Sequence, residues 1–389
     1  MHKNRVRALL LAMLMVLSVA SVAAAQELTF QSKAQLLLDV GSKQILYERN
    51  AHEKLYPASV TKVMTMLLAM EALESGKVKL DDMIPISERA AAHGGSQIFL
   101  SPGDRVSFED LMIGIAVGSA NDGAWAMAEF LGGSGESFVQ QMNEKAAELG
   151  MTNSNFANPH GLHDENHYTT AYDIALMSLE LLRHPKILEW SSIWMDEEFL
   201  KGKIKKSEGV YLSNANRIVR YYHGGDGLKT GFTNEAGNCV SATVKRDDTR
   251  YLAVIMGAPG RLALFGEAQT LLDWGFANYR SVPVAEKGAV MGTVKVDKGT
   301  VSEVELVAKN SFSLLLKKGT KGDVDHEIIL PQRISAPLLT SDEVGTMIVK
   351  SADGEELGQV ALVPATDVPK ANILTFFLRY THQWLRFGR

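Results

Sequence analysis

The sequence is short of cysteine, proline and net charge, and each shortage excludes a class of protein. Its 389 residues include one cysteine, Cys239, so no internal disulfide can hold the chain together. A content of 11 prolines with 46% hydrophobic residues is ordinary for a folded protein and does not indicate disorder. The net charge of −5 lacks the basic character of nucleic-acid-binding domains, so no nucleic-acid partner is expected.

Long apolar runs are also scarce, and one lies at the start of the chain. A basic leader precedes an apolar run over residues 8–17, and small residues ending in Ala-Ala-Ala follow. This order is typical of a secretory signal peptide. We predict that residues 1–25 are removed and that the mature chain is exported to the outer face of the cytoplasmic membrane. An uncleaved membrane anchor is the alternative.

Strand patterns at both ends of residues 26–280 predict antiparallel hairpins. Two short apolar runs around residues 40–43 indicate a hairpin, and two longer runs over residues 237–257 indicate another. Cys239 lies in the second hairpin, where we interpret it as a buried strand residue, with a reactive role as the lesser alternative.

Helical periodicity fills the region between these hairpins. It begins at Ser59 and ends near residue 74, and residues 109–131 predict two helices interrupted at residues 118–121. Asn121 or Asp122 can cap the second of these helices. A loop over 153–168 and helices over 170–182 and 262–277 follow. We therefore expect an α/β or α+β fold with a sheet flanked by helices and an all-helical block.

After residue 280 the pattern of apolar and polar residues changes twice. In residues 281–369, apolar and polar residues alternate within several short segments, which predicts a small all-β domain. Residues 370–389 contain four cations and no acid, and an aromatic face opposes a basic face on a helical wheel. They are too polar to span a bilayer, so we predict an amphipathic helix on an anionic membrane surface. A helix packed on the β domain is the alternative.

Three short motifs carry the candidate chemistry, and each occurs once. They are Ser59-x-x-Lys62 at a helix start, Ser119-Ala120-Asn121 in a helix break, and Lys229-Thr230-Gly231 before a hairpin. The first motif alone has an ordinary explanation, since Ser59 can cap the helix and Lys62 can be a solvated side chain. All three in this order form the set found in penicillin-binding proteins and class A β-lactamases.

The chemistry of acyl transfer explains why these residue types belong together. Lys62 lies one helical turn from Ser59, so its amine can take the hydroxyl proton if burial and Lys229 keep it neutral. Ser119 and Asn121 offer a proton relay and a donor toward a leaving amine. Three further features act on the substrate: Lys229 and Thr230 suit a carboxylate, and Gly231 leaves a strand edge open for pairing.

Over residues 30–389 the sequence resembles the serine-type D-Ala-D-Ala carboxypeptidases, which are low-molecular-mass penicillin-binding proteins with a β-lactamase/transpeptidase-like domain. The stretches that carry the resemblance are LLLDVGSKQILYERNAHEKLYPASVTKVMT, GGSQIFLSPGD, NPHGLHDENHYTTAYDIALM and GGDGLKTGFTNEAG. The resemblance implies that the substrate is a peptidoglycan stem peptide ending in D-Ala-D-Ala, that β-lactams acylate the serine, and that no cofactor or metal takes part.

The resemblance also implies a role for each site residue. Ser59 is the nucleophile, Lys62 the base, and Ser119 and Asn121 assist. Lys229, Thr230 and Thr233 hold the terminal carboxylate, and the backbone N–H groups of Ser59 and Phe232 form the oxyanion hole. One feature departs from the family, because Gly266 stands near the place of an expected arginine. Arg261 is a candidate substitute, and the alternative is that this contact is missing.

Three rival interpretations remain open at this point. A class A β-lactamase would need an E-x-x-x-N pattern, but Glu165 is followed at once by Asn166. A metallopeptidase is suggested by His160, His163 and His167, although an HExxH helix is absent. A non-catalytic wall-binding protein of the same fold is the third, and the three intact motifs favour catalysis over it.

Overall fold

A computed structural model of the chain describes residues 28–319, 324–351 and 354–372. Its contacts divide the chain after Gln31, and the unit that begins at Ser32 contains the secondary structure given below. The predicted signal peptide lies outside the described residues, and so do residues 373–389 of the predicted amphipathic tail. Among the described residues, no helix has the length and apolar character needed to cross a membrane.

The elements are numbered here in chain order. The strands are β1 (Ala34–Asp39), β2 (Ile45–Arg49), β3 (Met83–Pro85), β4 (Arg105–Ser107), β5 (Met195–Phe199), β6 (Val210–Ser213), β7 (Gly225–Thr233), β8 (Gly237–Arg246), β9 (Thr249–Ala258), β10 (Tyr279–Ala285), β11 (Val290–Asp297), β12 (Glu303–Ala308), β13 (Phe312–Lys317), β14 (Val324–Ile329), β15 (Arg333–Ser335), β16 (Gly345–Ser351) and β17 (Glu356–Pro364). The helices are α1 (Lys62–Glu74), α2 (Glu88–Ala91), α3 (Phe108–Val117), α4 (Asn121–Gly132), α5 (Gly135–Glu148), α6 (Ala171–Leu181), α7 (Lys186–Ser191), α8 (Arg217–Tyr221) and α9 (Arg261–Asn278).

An antiparallel sheet with the order β2-β1-β9-β8-β7 forms the centre of the N-terminal part. The two predicted hairpins are confirmed as β1–β2 and β8–β9. β1 is buried along its whole length, whereas β7 lies at the edge of the sheet. The backbone of an edge strand can pair with an added peptide, so the Lys229-Thr230-Gly231 motif stands where an extended ligand can dock.

Both faces of this sheet are covered by helices. Because strand residues alternate between faces, Leu36 and Leu38 enter the core of the helical block while Leu37 faces α9. Gly275 allows α9 to approach, since a Cβ there would come within 2.9 Å of Leu37 Cδ2. Cys239 on β8 is fully buried, and burial raises the pKa of its thiol to about 11. It is therefore the inert strand residue that the sequence predicts.

The central helix of the helical block is α1, which contacts α3, α4 and α6. Its apolar residues are buried around almost the whole circumference, as expected for a helix enclosed by others. Its two fully buried polar side chains, Lys62 and Thr65, consequently have to find partners inside the protein.

Two details of the predicted helices are wrong. Regular α-helix begins at Lys62, because Ser59 belongs to a 3-10 turn over Ala58–Thr61. The N-cap of α4 is Ala120, which makes no side-chain cap. Asp122 instead accepts hydrogen bonds from the backbone N–H groups of Ile98 (3.1 Å) and Leu100 (3.0 Å), and Asn121 bonds within the site described below.

The strands that follow α9 enclose a hydrophobic core of their own. Six of them form a sheet with the order β14-β16-β17-β12-β11-β15, and β10 pairs with β13. The β-rich pattern of the sequence after residue 281 is thus confirmed, with β10 beginning at Tyr279.

Candidate active site

Ser59 lies in the 3-10 turn that leads into α1, and two glycines allow the backbone to pack tightly around that turn. A Cβ at Gly231 of β7 would come within 2.7 Å of Ser59 N. On the other side, a Cβ at Gly161 would come within 1.9 Å of Ala58 O. Ala58 has a φ of 48°, in the left-handed region that disfavours a residue with a side chain. The turn is therefore strained and held between two close backbone contacts.

The amine of Lys62, the first residue of α1, is fully buried. Its Nζ lies 3.0 Å from Ser59 Oγ, 2.7 Å from Asn121 Oδ1 and 2.7 Å from the carbonyl oxygen of His160. Burial holds the pKa of this amine well below its usual range, and the charge of Lys229 lowers the pKa further. The charge of Asp122 acts in the opposite direction.

The three contacts of Lys62 define where its lone pair points once it is neutral. The carbonyl of Gly94 can only accept, so the Asn121 amide directs Nδ2 to it at 2.7 Å and presents Oδ1 to Lys62. The carbonyl of His160 is also only an acceptor. A neutral amine has two N–H bonds, and these two oxygens take both. Its lone pair then faces the Ser59 hydroxyl, which is the arrangement that a general base requires.

Ser119 occupies the break between α3 and α4. Its φ of 60° is left-handed, so α3 cannot continue through it. Ser119 and Ser59 both line one cavity of about 440 Å³. The structure thus brings the hydroxyl of the second motif to the same space as the hydroxyl of the first.

The third motif lies along the edge strand β7. Lys229 is buried, its Nζ donates to the carbonyl of Thr230 at 3.1 Å, and burial lowers its pKa to about 7. Thr230, Gly231 and the exposed Phe232 line the cavity. Thr233 Oγ1 accepts a hydrogen bond from the N–H of Ala236, so that hydroxyl helps to form the turn into β8.

Further cavity residues were not predicted from the motifs. Ser96 follows a Gly-Gly pair in the loop between α2 and β4, and its carbonyl accepts from the N–H of Asn121 at 2.7 Å. Asn238 and Leu264 complete other parts of the wall. The sequence signal for Ser96 was the GGSQ stretch, whereas Asn238 is an ordinary position in a hairpin.

Arg261 lines the cavity from the first position of α9, and its Nη2 donates to the carbonyl of Ala215 at 3.2 Å. A Cβ at Gly266, farther along the same helix, would meet no atom within 4 Å. Gly260 caps the helix without a side-chain hydrogen bond, and no acid occupies the first turn. The guanidinium and the positive helix end together make this wall suited to an anion.

The histidines of the loop before α6 are engaged in packing and hydrogen bonding. His167 Nε2 lies 2.7 Å from Thr61 Oγ1, and its Nδ1 accepts from the N–H of Ala157 at 3.1 Å. The ring of His160 packs against those of His93 and Trp125. Within the described part of the chain, no three His, Cys, Asp or Glu side chains are grouped to hold a metal ion.

Glu165 does not line the cavity that Ser59 and Ser119 share. It lines a second cavity, of about 370 Å³, together with Lys54, Tyr168 and Glu235. Among the described residues that line the Ser59 cavity, no side chain is acidic. The carboxylate that a class A β-lactamase would use is therefore not found beside Ser59.

Comparison with known proteins gives two family matches, one to the part of the chain with the five-stranded sheet and one to the β-rich part that follows. Residues 20–260 match the family model described as D-alanyl-D-alanine carboxypeptidase, and residues 279–370 match that of the penicillin-binding protein 5 C-terminal domain. The chain is 41% identical to the D-alanyl-D-alanine carboxypeptidase DacF of Bacillus subtilis (strain 168), over 93% of this chain and 92% of that protein.

Solved structures are similar as well. Penicillin-binding protein 5 from Haemophilus influenzae aligns with a TM-score of 0.70 at 30% identity, covering 88% of this chain and 99% of that one. Penicillin-binding protein D2 from Listeria monocytogenes, solved in an ampicillin-bound form, aligns with a TM-score of 0.54 at 28% identity. It covers 64% of this chain and 98% of its own.

Acid should destabilise the fold through the buried histidines. Burial lowers the pKa of His160 to about 2 and that of His167 to about 4, from an ordinary value of 6.5. Between pH 6.5 and 4 the unfolded chain binds more protons than the folded chain at these sites. The free energy of unfolding should therefore fall as the pH drops through this window.

Thermal unfolding at about pH 7.5 and about pH 5 measures this effect, with His167→Gln as the comparison. The variant should lose part of the pH dependence, because glutamine does not titrate there. An equal pH dependence in both proteins would contradict the contribution of His167.

Proposed function

The chain belongs to the D-alanyl-D-alanine carboxypeptidase family, peptidase S11, and we propose that it removes the terminal D-Ala of peptidoglycan stem pentapeptides through an acyl-enzyme on Ser59. The observation that carries the proposal is the buried Lys62 amine, whose lone pair faces the Ser59 hydroxyl when both N–H bonds are given to carbonyl oxygens.

Acylation begins with attack of Ser59 Oγ on the carbonyl carbon of the penultimate D-Ala. The hydroxyl proton passes to Lys62 Nζ, and the carbonyl oxygen becomes an oxyanion. The N–H groups of Ser59 and Phe232 are the proposed donors to that oxyanion. Support comes from Gly231, whose lack of a side chain lets β7 lie directly against Ser59 N.

Collapse of the tetrahedral intermediate breaks the peptide C–N bond. The leaving nitrogen needs a proton, which Ser119 relays from Lys62 across the cavity that Ser119 and Ser59 share. Asn121 acts on Lys62 more than on the leaving group, since its amide is committed to Lys62 and Gly94. Water then attacks the ester, releases the shortened peptide and returns the proton to Ser59.

The terminal carboxylate of the substrate binds at the other end of the cavity. Lys229 is buried next to Thr230 in β7 and would supply positive charge, and the hydroxyl of Thr230, which lines the cavity, can donate directly. Thr233 is a weaker candidate because its oxygen already accepts from Ala236. Arg261 faces the same cavity, and we assign to it the charge that the family places near Gly266. The free edge of β7 pairs with the peptide backbone.

β-Lactams carry an amide carbonyl and a carboxylate that the same groups can engage. Ser59 would open the ring and remain acylated, and no acidic side chain among the described lining residues is placed to activate water rapidly. A slow deacylation separates this proposal from a β-lactamase, which turns the drug over.

Each part of the chain has a proposed task in this function. Residues 1–25 direct export, residues 26–280 carry the peptidase site, and residues 281–369 form the β domain. Residues 370–389 attach the enzyme to the outer face of the cytoplasmic membrane, where the stem peptides lie. The support for the last step is the opposed aromatic and basic faces of the tail sequence.

Release of D-Ala from diacetyl-Lys-D-Ala-D-Ala tests the activity. The wild type should release D-Ala and form a long-lived covalent adduct with fluorescent penicillin, whereas Ser59→Ala should do neither because the nucleophile is gone.

The kinetics of D-Ala release test the role of Arg261. Arg261→Ala should raise KM more than it lowers kcat, since it removes a carboxylate contact.

The rival functions predict different results in penicillin labelling, D-Ala release, nitrocefin turnover and chelation. Equal labelling of wild type and Ser59→Ala would refute the nucleophile. Fast nitrocefin turnover with no D-Ala release would indicate a β-lactamase, and loss of activity on chelation would indicate a metallopeptidase. Penicillin binding without any turnover of the tripeptide would leave a non-catalytic wall-binding protein.

Binding to anionic vesicles tests the tail. A chain that ends at Asn372 keeps the backbone hydrogen bonds of Val368, Pro369 and Ala371 with the β domain, so its fold should be intact. It should lose binding to phosphatidylglycerol vesicles, while the full mature chain sediments with them.

Two controls sharpen this measurement. Unchanged penicillin labelling of the truncated chain shows that the peptidase domain is folded. Arg379→Glu with Arg386→Glu keeps the length and apolar face, and should weaken binding to anionic vesicles because it removes the charge attraction. Full vesicle binding by the truncated chain would overturn the assignment of the tail.

A further inference from the structure

A buried chain of hydrogen bonds joins the loop before α6 to the backbone beside Ser59. His167 is 2% exposed, and its Nε2 lies 2.7 Å from Thr61 Oγ1. Thr61 Oγ1 in turn lies 2.8 Å from the carbonyl oxygen of Ala58. The chain starts at the N–H of Ala157, which donates to His167 Nδ1 at 3.1 Å.

The direction of each hydrogen bond follows from its two ends. A backbone N–H only donates, so Nδ1 of His167 is unprotonated and the ring proton is on Nε2. Nε2–H therefore donates to Thr61 Oγ1, and the hydroxyl of Thr61 gives its own proton to the Ala58 carbonyl. Burial lowers the pKa of His167 to about 4, so the ring stays neutral; the charge of Asp164 raises that pKa, and those of Lys62 and His163 lower it.

The carbonyl at the end of this chain belongs to the strained residue of the nucleophile turn. A left-handed φ at a residue with a side chain, such as Ala58, is unfavourable and persists only where surrounding contacts enforce it. Gly161 supplies a steric contact to this carbonyl, and Thr61 supplies the hydrogen bond.

Fixing the Ala58 carbonyl also fixes a donor of the site. The C=O of Ala58 and the N–H of Ser59 belong to one planar trans peptide, in which they point in opposite directions. Any rotation of that carbonyl rotates the Ser59 N–H by the same angle. That N–H is one of the two proposed oxyanion donors.

We propose that His167 is a positioning residue for acylation: acting through Thr61, its imidazole fixes the Ala58 carbonyl and so aims the Ser59 N–H at the developing oxyanion. This inference rests on the proposed acyl-enzyme function and adds to it a residue that does not line the Ser59 cavity. The loop around His167 thereby acts in catalysis through the backbone, without touching the substrate.

The acylation rate with fluorescent penicillin tests this proposal. His167→Ala removes the donor, and Thr61→Val removes the hydroxyl at nearly constant volume. Each should slow acylation by about 10- to 100-fold at similar drug affinity, because one oxyanion donor is misaligned. His167→Gln should acylate within about threefold of the wild-type rate, since the glutamine amide can donate to Thr61 as Nε2–H does. His167→Asn can replace only the acceptor Nδ1, so it should acylate as slowly as His167→Ala.

A double-mutant cycle separates this chain from two independent defects. If His167 acts only through Thr61, the double variant His167→Ala/Thr61→Val should acylate no more slowly than Thr61→Val. His163→Ala is the matched control, because His163 is exposed in the same loop and packs on the ring of Tyr56. It should acylate at the wild-type rate.

The outcomes distinguish this inference from the proposed function. Wild-type acylation rates in folded His167→Ala, or a multiplicative loss in the double variant, would overturn the positioning role alone. The positioning role would also be overturned if His167→Gln had the melting temperature of the wild type but acylated as slowly as His167→Ala. Should His167→Ala fail to fold, Thr61→Val and His167→Gln still decide the question. Failure of the wild type to form any adduct would contradict the proposed function itself.

Discussion

Complete burial of the Lys62 amine is the constraint on which the site depends. A buried ammonium is costly, so the folded protein favours the neutral amine, and the buried Lys229 adds to that preference. The neutral amine still needs acceptors for two N–H bonds, and it finds them in Asn121 on α4 and in the carbonyl of His160. Three separate parts of the chain thus converge on one nitrogen, and its remaining lone pair is left for Ser59.

Left-handed backbone conformations occur at or beside both serines that share the cavity. Ala58, directly before Ser59, and Ser119 both have left-handed φ angles of 48° and 60°. Such conformations persist where neighbouring contacts enforce them, and they are common at active sites. Around Ala58 the enforcing contacts are the glycines 161 and 231, and the hydrogen bond from Thr61. The sheet edge and the loop before α6 therefore fix the backbone around Ser59, the proposed nucleophile.

Much of this could be predicted from the sequence because the relevant signals are local. The spacing of Ser59 and Lys62 predicts their approach, and the helix break predicts where Ser119 stands. What could not be predicted depends on contacts between distant segments. The cap of α4 was wrong because Asn121 bonds to Lys62 and Gly94, which no local pattern reveals. The hydrogen bond of His167 to Thr61, on which its proposed role rests, could not be predicted for the same reason, since the two residues are far apart in the sequence.

The protonation state of Lys62 is the most direct test of this account. In protein labelled with ¹³C at lysine Cε, the Lys62 resonance can be assigned by its loss in Lys62→Met, and its chemical shift reports whether the amine is charged. We predict that the Lys62 amine is already neutral at a pH at which exposed lysines are still charged, because burial and the charge of Lys229 lower its pKa. A Lys62 resonance that keeps the ammonium shift at that pH and titrates like an exposed lysine would contradict the account.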